Sequence, residues 1–362
     1  MKEKVDINTL RGKIDELDTK ILELINERAN YAKKIGELKE DNNLPIFAPE
    51  REYEIYNKIK KLNNGPLEDR YLINIYREII SACRSAQNKL RVAYLGPPGT
   101  FTNLAAIKYF GLSAEFISIG SIEEVFEEVE RGKATYGIIP IENSLEGVVT
   151  HAIDMFFDTK LKICSEIYIK VKHNLINKTG NIEDIKKIYS HPQAIAQCKK
   201  FLSSTVNDIP IIEVESTAKA ALIAAKDISA AAIASEAAVL LYDLKVVCPE
   251  IQDSLNNYTR FFVIGRDVQP FTGYDKTSIM FSVPHKAGAL FNALDIFAKY
   301  DINMSKIESR PSKREAWKYV FFVDIDGHID CDTVKEALEE LSKKVNFIKI
   351  LGSYRKGEMK DV

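Results

Sequence analysis

The sequence predicts a multidomain protein: an all-α helical module over residues 1–90, a two-lobed α/β domain over 91–270, and a smaller α+β domain over 275–362. Three observations carry this prediction. Apolar residues recur at alternating four- and three-residue spacing through the first forty positions. Strand-like runs of Val, Ile and Tyr alternate with helical runs after Arg91. From Thr277 onward the order is β-α-β-β-α-β.

At 362 residues, 46% hydrophobic and 28% charged, the chain can bury more than one core. No stretch of about 18 uncharged apolar residues is present, and MKEKVDINTLRGKIDELD has charges where a signal peptide needs an apolar centre. A cytoplasmic protein with no membrane contact is expected. Fifty basic against 52 acidic residues, a net charge of −2, leave no electrostatic footprint for nucleic acid. Cys83, Cys164, Cys198, Cys248 and Cys331 stand far apart without a CxxC, so reduced thiols are expected. The histidines show no metal-ligand spacing, and neither metal nor cofactor is expected.

In the first module Leu10, Ile14, Leu17, Ile21, Leu24, Tyr31, Ile35 and Leu38 form the seam of one long helix, Asn8 to Glu40. The seam position between Leu24 and Tyr31 is Arg28, and a buried guanidinium needs an anion, either a Glu of a facing helix or a ligand. Lys39 lies about 20° round and about 16 Å along the axis, so both side chains can lean toward one pocket. Arg11 lies about 25 Å from Arg28 and about 100° round, beyond reach except in a symmetry-related copy. A second helix opens at APERE, with Pro49 in its first turn, and ends at NNGP. A third, Leu67 to about Leu90, carries Tyr76, Ile80, Cys83, Gln87 and Leu90 on one seam.

Arg11, Arg28, Lys39, Arg51, Glu52 and Gln87 together make residues 5–90 resemble the all-helical chorismate mutases. The resemblance implies that Arg28 and Arg11 of a second copy clamp the carboxylates of chorismate, with Arg51 also on the substrate. It implies further that Lys39 and Gln87 address the ether oxygen and that Glu52 orients the ring hydroxyl. The pericyclic shift to prephenate needs no nucleophile, only a dicarboxylate held folded while charge develops. Ala48 and Cys83 depart from the commoner pattern, which has aspartate and serine there.

In the second module RVAYLG, TNLAAIKYF, AEFISIG, SIEEVFEEVERG and YGIIPIE, then IPIIEVES, TAKAALIAAK and ISAAAIAS, predict two lobes with largely parallel sheets. The loop YLGPPGTFT is neither GxGxxG nor a Walker A loop, so nucleotide binding is unsupported. Glu142, Asn143 and Ser144 are expected to follow the third strand and face a cleft beyond its carboxyl end. Polar clusters at YSHPQA, VEST and NNYTRFFVIG close other strands and serve equally as caps. His191, before Pro192 at a helix start, reads as a turn or pocket-wall residue rather than the acid.

The TRF triplet Thr259–Arg260–Phe261, PIENS, YLGPPGTFT, SHPQA and ESTAKA make this module resemble prephenate dehydratase. The resemblance implies that prephenate loses water and carbon dioxide, with Thr259 as donor to the leaving hydroxide. Glu142, Asn143, Ser144, Ser190, Gln197, Glu215 and Phe261 would line the substrate cleft, and Arg260 would be structural. Glu142 or Glu215 would polarise Thr259.

The last module, TSIMFSV, GALFNALDIFAKY, INMSKIESR, WKYVFFVDID, CDTVKEALEELSKK and FIKILGSY, resembles a ferredoxin-like ACT domain. Its GALF segment (Gly288, Ala289, Leu290, Phe291) and ESRP segment (Glu308, Ser309, Arg310, Pro311) match phenylalanine-binding segments of that family. The whole reads as a bifunctional enzyme in a homo-oligomer, at least a dimer, inhibited by phenylalanine. The alternatives are a dehydratase whose helices only dimerise it, and a two-lobed solute-binding sensor, which leaves Arg28 and Lys39 unexplained.

Overall fold

The structure, a computed structural model, describes residues 6–42, 47–311 and 319–359. Trp317 and Lys318, where a strand of the third module is expected to begin, lie outside the described residues, as do residues 1–5. The chain divides into two units, residues 1–90 with 110–115, and residues 91–109 with 116–362.

The first unit is built on α1 (Ile7–Asp41), α2 (Pro49–Leu62) and α3 (Asp69–Ser85). α1 has the expected length, 35 residues, yet its seam is open. Leu10, Ile14, Leu17, Ile21, Leu24, Tyr31, Ile35 and Leu38 are each 48–63% exposed within the single chain. A Cβ on Gly36, the buried residue of α1, would stand 2.7 Å from Gln87 Cβ, so glycine lets the helix approach the end of α3. α3 ends five residues sooner than expected, because its last turn tightens: Gln87 N–H donates to the Arg84 carbonyl three residues back (2.9 Å).

The second unit opens with β1 (Arg91–Leu95), α4 (Phe101–Phe110), β2 (Glu115–Ile119), α5 (Ile122–Glu130), β3 (Tyr136–Asn143), β4 (Gly147–Val148), α6 (Thr150–Met155) and β5 (Lys162–Lys170). The second lobe follows as β6 (Asn174–Asn177), β7 (Lys187–Ser190), α7 (Pro192–Gln197), α8 (Lys199–Thr205), β8 (Ile211–Glu213), α9 (Thr217–Lys226), β9 (Ala230–Ala234), α10 (Glu236–Tyr242) and β10 (Lys245–Cys248). The chain then returns to the first lobe as β11 (Tyr258–Gly265). The sheets run β2-β1-β3-β11-β5, with β4 on β3, and β10-β6-β9-β7-β8.

Both sheets are mixed rather than largely parallel. β1–β3, β7–β8 and β7–β9 are parallel, but β11 is antiparallel to β3 and β5, and β6 to β9 and β10. The chain crosses between lobes twice, and each crossing delivers a strand reversed. The crossings are bonded to each other, Val171 N–H to the Asn257 carbonyl and Ile251 N–H to the His173 carbonyl, each at 2.8 Å.

The remainder is β12 (Asp275–Ser282), α11 (Ala289–Lys299), β13 (Met304–Pro311), β14 (Tyr319–Asp326), α12 (Asp332–Ser342) and β15 (Phe347–Arg355), an antiparallel sheet in the order β13-β14-β12-β15. Successive side chains point to opposite faces. Ile279, Phe281, Val323 and Ile325 pack on α11 and α12. Met280, Val320, Phe322, Leu351 and Tyr354 join the first-lobe core with Phe262 and Ile264. Both faces of its central strands, β12 and β14, are therefore largely buried, while β13 keeps one face exposed.

Lys349 of β15 donates to the carbonyls of Phe156, Phe157 and Thr159 just beyond α6 (2.8, 3.1 and 2.6 Å). A Cβ on Gly352 would stand 2.2 Å from the Ile163 carbonyl oxygen of β5, and backbone cannot swing aside. Gly352→Ala is expected to cost the second unit about 1–3 kcal/mol, the range for overpacking a filled contact. Chemical denaturation measures it; an unchanged midpoint would mean that β15 and β5 are not held at this spacing.

Candidate functional site

In the first unit Arg28 and Lys39 are half-buried. Burial holds the Lys39 ammonium below its ordinary pKa against the opposing charges of Glu50 and Glu52. Burial raises the Glu52 pKa, opposed by Arg84 and, more weakly, by Arg28. The groups on α1 and α2 thus act on one another. Gln87 Oε1 is buried with no hydrogen-bond partner among the described residues, which leaves its amide with capacity for a ligand.

Two placements differ from expectation. Arg51 points outward, 69% exposed and paired with Glu54 at 2.6 Å, so the single chain does not bring it to Arg28. Arg84, passed over in the sequence, is buried. It binds the Glu52 carboxylate and the Phe110 carbonyl and lies 4.7 Å over the Phe47 ring. Its one signal was a cation four residues after the seam residue Ile80, a position that surface residues also occupy. Arg11 is exposed on α1.

In the second unit a cavity of about 340 Å³ opens between the lobes. The first lobe gives it Gly96, Thr100, Phe101, Pro140, Asn143, Val149, Thr259 and Phe261, and the second gives His191, Gln193, Gln197, Glu215, Ser216 and Thr217. The strand register explains who faces inward. β3 runs on through Asn143 and pairs Thr259 with Asn143 and Arg260 with Glu142. Alternation sends the first pair to the cleft and the second to the opposite face.

A chain of hydrogen bonds crosses the cleft wall. Asn143 Nδ2 donates to Thr259 Oγ1 (2.9 Å) and Asn257 Oδ1 (2.8 Å). Asn257 Nδ2 donates to Gln197 Oε1 (3.0 Å), which also meets His173 Nε2 (2.9 Å). Asn143 Oδ1 accepts from the Leu145 and Glu146 amides, which fixes the rotamer that aims its NH₂ at Thr259. A donor on Oγ1 leaves the Thr259 O–H free for a ligand and polarises it. The neighbour of Thr259 is therefore Asn143.

Glu142 does not line this cleft: its carboxylate pairs with Lys306 at 2.6 Å. Ser190 is fully buried and donates to the Ile233 carbonyl (2.8 Å). Ser144 bonds the Asn256 carbonyl and the Tyr258 amide outside the cleft. Glu215 is at the cleft, 77% exposed and 3.9 Å from Lys219. His191 caps α7, its Nδ1 accepting from the Gln193 amide, and forms part of the wall.

The sequence reading missed His173 and Asn257. Both sit on the lobe crossings, where no periodicity marks a cleft residue. His173 is 3% exposed, edge-on to Phe101 with ring centroids 5.7 Å apart, and burial lowers its pKa.

Gly288 to Phe291 border a second cavity of about 340 Å³ with Val283, His285, Tyr319 and Phe321. Gly288 has φ +78°, a conformation glycine adopts without strain. Glu308 to Pro311 do not border it. They lie on β13, separated from β12 by β14, and Arg310 is turned to Asp154 of the dehydratase-like lobe (3.2 Å from both Nε and Nη2). Among the described residues no cluster of metal-ligating side chains is found and no helix is long and apolar enough to cross a membrane.

Three family models match the chain: chorismate mutase type II over residues 10–88, prephenate dehydratase over 92–269 and the ACT domain over 277–343. The bifunctional chorismate mutase/prephenate dehydratase of Aquifex aeolicus is 49% identical over 98% of this chain and 99% of its own. That of Pseudomonas aeruginosa is 40% identical over 98% and 99%. A prephenate dehydratase from Arthrobacter aurescens, solved in complex with L-Phe, superposes with a TM-score of 0.68 at 32% identity, over 74% of this chain and 90% of its own. A helical unit with half-buried cations, a two-lobed cleft around Thr259 and a closing α+β sheet thus occur in one chain in the order these relatives share, and the chain belongs to the bifunctional chorismate mutase/prephenate dehydratases.

Proposed function

We propose that the two reactions of this family run at separate sites, the mutase on α1–α3 and the dehydratase at Thr259. In the helical unit Arg28, with Arg11 of a second copy, binds the two carboxylates of chorismate. Lys39 and the Gln87 amide stabilise charge developing on the ether oxygen as the C–O bond breaks and the new C–C bond forms. Glu52, its carboxylate held by Arg84, positions the ring hydroxyl. The open seam of α1 supports a dimer of two such helices, since eight large apolar side chains otherwise face water.

At the dehydratase site the observation that carries the proposal is the Asn143–Thr259 hydrogen bond. With Oγ1 occupied as acceptor, the Thr259 O–H donates to the departing hydroxyl of prephenate. Electrons of the ring–carboxylate bond flow into the ring as carbon dioxide leaves, hydroxide departs as water with a proton restored from solvent, and aromatisation drives the step. Ser216 and Thr217 open α9 on the cleft, where its N-terminal amides suit a substrate carboxylate. Glu142, Ser144 and Ser190 support the strands rather than touch substrate.

The third module senses phenylalanine. Gly288–Phe291 and the outer face of β13 are kept apart within one chain by β14, which supports an effector site completed by another copy. Five free cysteines suit a reducing compartment, the cytoplasm, and no nucleic acid or membrane partner is proposed.

Purified protein given chorismate should accumulate prephenate and then phenylpyruvate. Arg28→Ala is expected to lower mutase turnover by about two to three orders of magnitude while dehydratase activity on added prephenate persists. Heterodimers with an Arg11→Ala variant should regain activity; no recovery would argue against a shared pocket. Thr259→Val, which keeps shape and removes the hydroxyl, should lower dehydratase kcat by about two or more orders of magnitude and spare the mutase. A near-normal kcat would take Thr259 out of the mechanism.

A further inference from the structure

We infer that Lys306 and Arg310 of the ACT sheet are positioning residues for the dehydratase site, and that β13 carries the phenylalanine response through them. This rests on the proposed reading of Thr259 as the dehydratase donor and of the third module as a phenylalanine sensor. On β13 the side chains alternate, Ser305, Ile307, Ser309 and Pro311 outward, Lys306, Glu308 and Arg310 inward. The two inward cations hold the dehydratase lobe at two points. Lys306 Nζ is 2.6 Å from Glu142 Oε2, and Arg310 makes its two-pronged contact with Asp154.

Those two carboxylates bracket the segment that shapes the cleft. Glu142 precedes Asn143, whose amide holds Thr259, and Asp154 lies on α6, whose N-cap Val149 is a cleft residue bonded to the Ile141 carbonyl (2.9 Å). A shift of β13 along its own axis therefore moves both ends of residues 142–154, and with them the Asn143–Thr259 bond. The Lys306 side chain is 9% exposed, while Glu142 is 35% exposed beside a cavity of about 710 Å³. The pair has room to part. A pair with one partner in contact with water separates at a cost comparable to typical allosteric couplings of 5–150-fold, where a fully buried pair would not.

Lys306→Met removes the charge and keeps the stem. It is expected to lower dehydratase kcat about tenfold with little change in KM, because misplacing the donor affects the transition state more than binding. Mutase activity is unchanged. Phenylalanine still binds, by calorimetry, but inhibits less than twofold. Lys306→Arg restores inhibition at least in part, and Lys306→Met combined with Glu142→Gln is no worse than either alone, since the pair acts as a unit.

Wild-type kcat or wild-type inhibition in Lys306→Met overturns the inference, as do additive effects in the double variant. A lower melting temperature with inhibition intact assigns Lys306 a purely structural role and overturns it too. If phenylalanine fails to bind the wild-type enzyme, the sensor reading itself falls and this inference with it.

Discussion

The constraint on which the dehydratase and its attached sheet depend is the burial of Arg260. Its guanidinium donates from Nε to Glu166 of β5 (2.7 Å) and from Nη2 to the Tyr354 hydroxyl (3.3 Å); Nη2 also lies 2.6 Å from the Glu166 carboxylate, and Nη1 lies 2.7 Å from Asp324 Oδ2 of β14, close but poorly aligned as a hydrogen bond. Lys276 of β12 reaches the same Glu166 at 2.9 Å, and Ser278 links Asp324 Oδ1 to the Tyr354 hydroxyl. Two cations and two carboxylates, all nearly excluded from water, balance. Burial opposes the charge on Arg260, but Asp324, Tyr354 and Glu166 outweigh it and its pKa is raised. Removing one member of such a set typically costs about 3–5 kcal/mol, because a partner is left uncompensated. The cluster therefore fixes which face of β11 looks where. With Arg260 anchored behind the sheet, Thr259 is held toward the cleft.

This division of labour along one strand separates chemistry from support without separating them in space. The cleft face of the β3–β11 ladder carries a neutral amide and a hydroxyl, which on the proposed reading bind and polarise without competing for the protons of a dicarboxylate. The opposite face carries full charges, closed off by a sheet whose residues continue into the first-lobe core. The helical unit solves a different problem with different means. Its reaction needs fixed positive charge around a folded dianion, which on the proposed reading half-buried Arg28 and Lys39 on one long helix supply, and Gly36 lets Gln87 approach that helix closely.

Much of this was legible in the sequence because it follows from local period. The four-three spacing marked α1 and its seam, Pro49 marked the start of α2, and the β-α-β-β-α-β order marked the last module. Thr259 and Asn143 were legible through the motifs that hold them. What was not legible depends on pairing between residues far apart in the chain. In sequence the polar residues of PIENS look like the turn after a strand, whereas Glu142 and Asn143 extend the strand. A two-residue alternation then divides them between faces according to β11, more than a hundred positions away. For the same reason Ser190 turns into the sheet and Arg310 into the neighbouring lobe. Arg84 and His173 escaped because one sits beside a seam and the other on a lobe crossing, and neither place leaves a periodic signature.

The claim at the centre of this account is that the Arg260 cluster makes the first-lobe sheet and the ACT sheet one cooperative structure. Native-state hydrogen exchange across a denaturant series tests it most directly, by comparing the Phe262 amide of β11 with the Phe322 amide of β14. The account predicts one shared opening free energy with one shared denaturant dependence. Exchange of Phe322 through a separate opening of lower free energy, with Phe262 still protected, would contradict it.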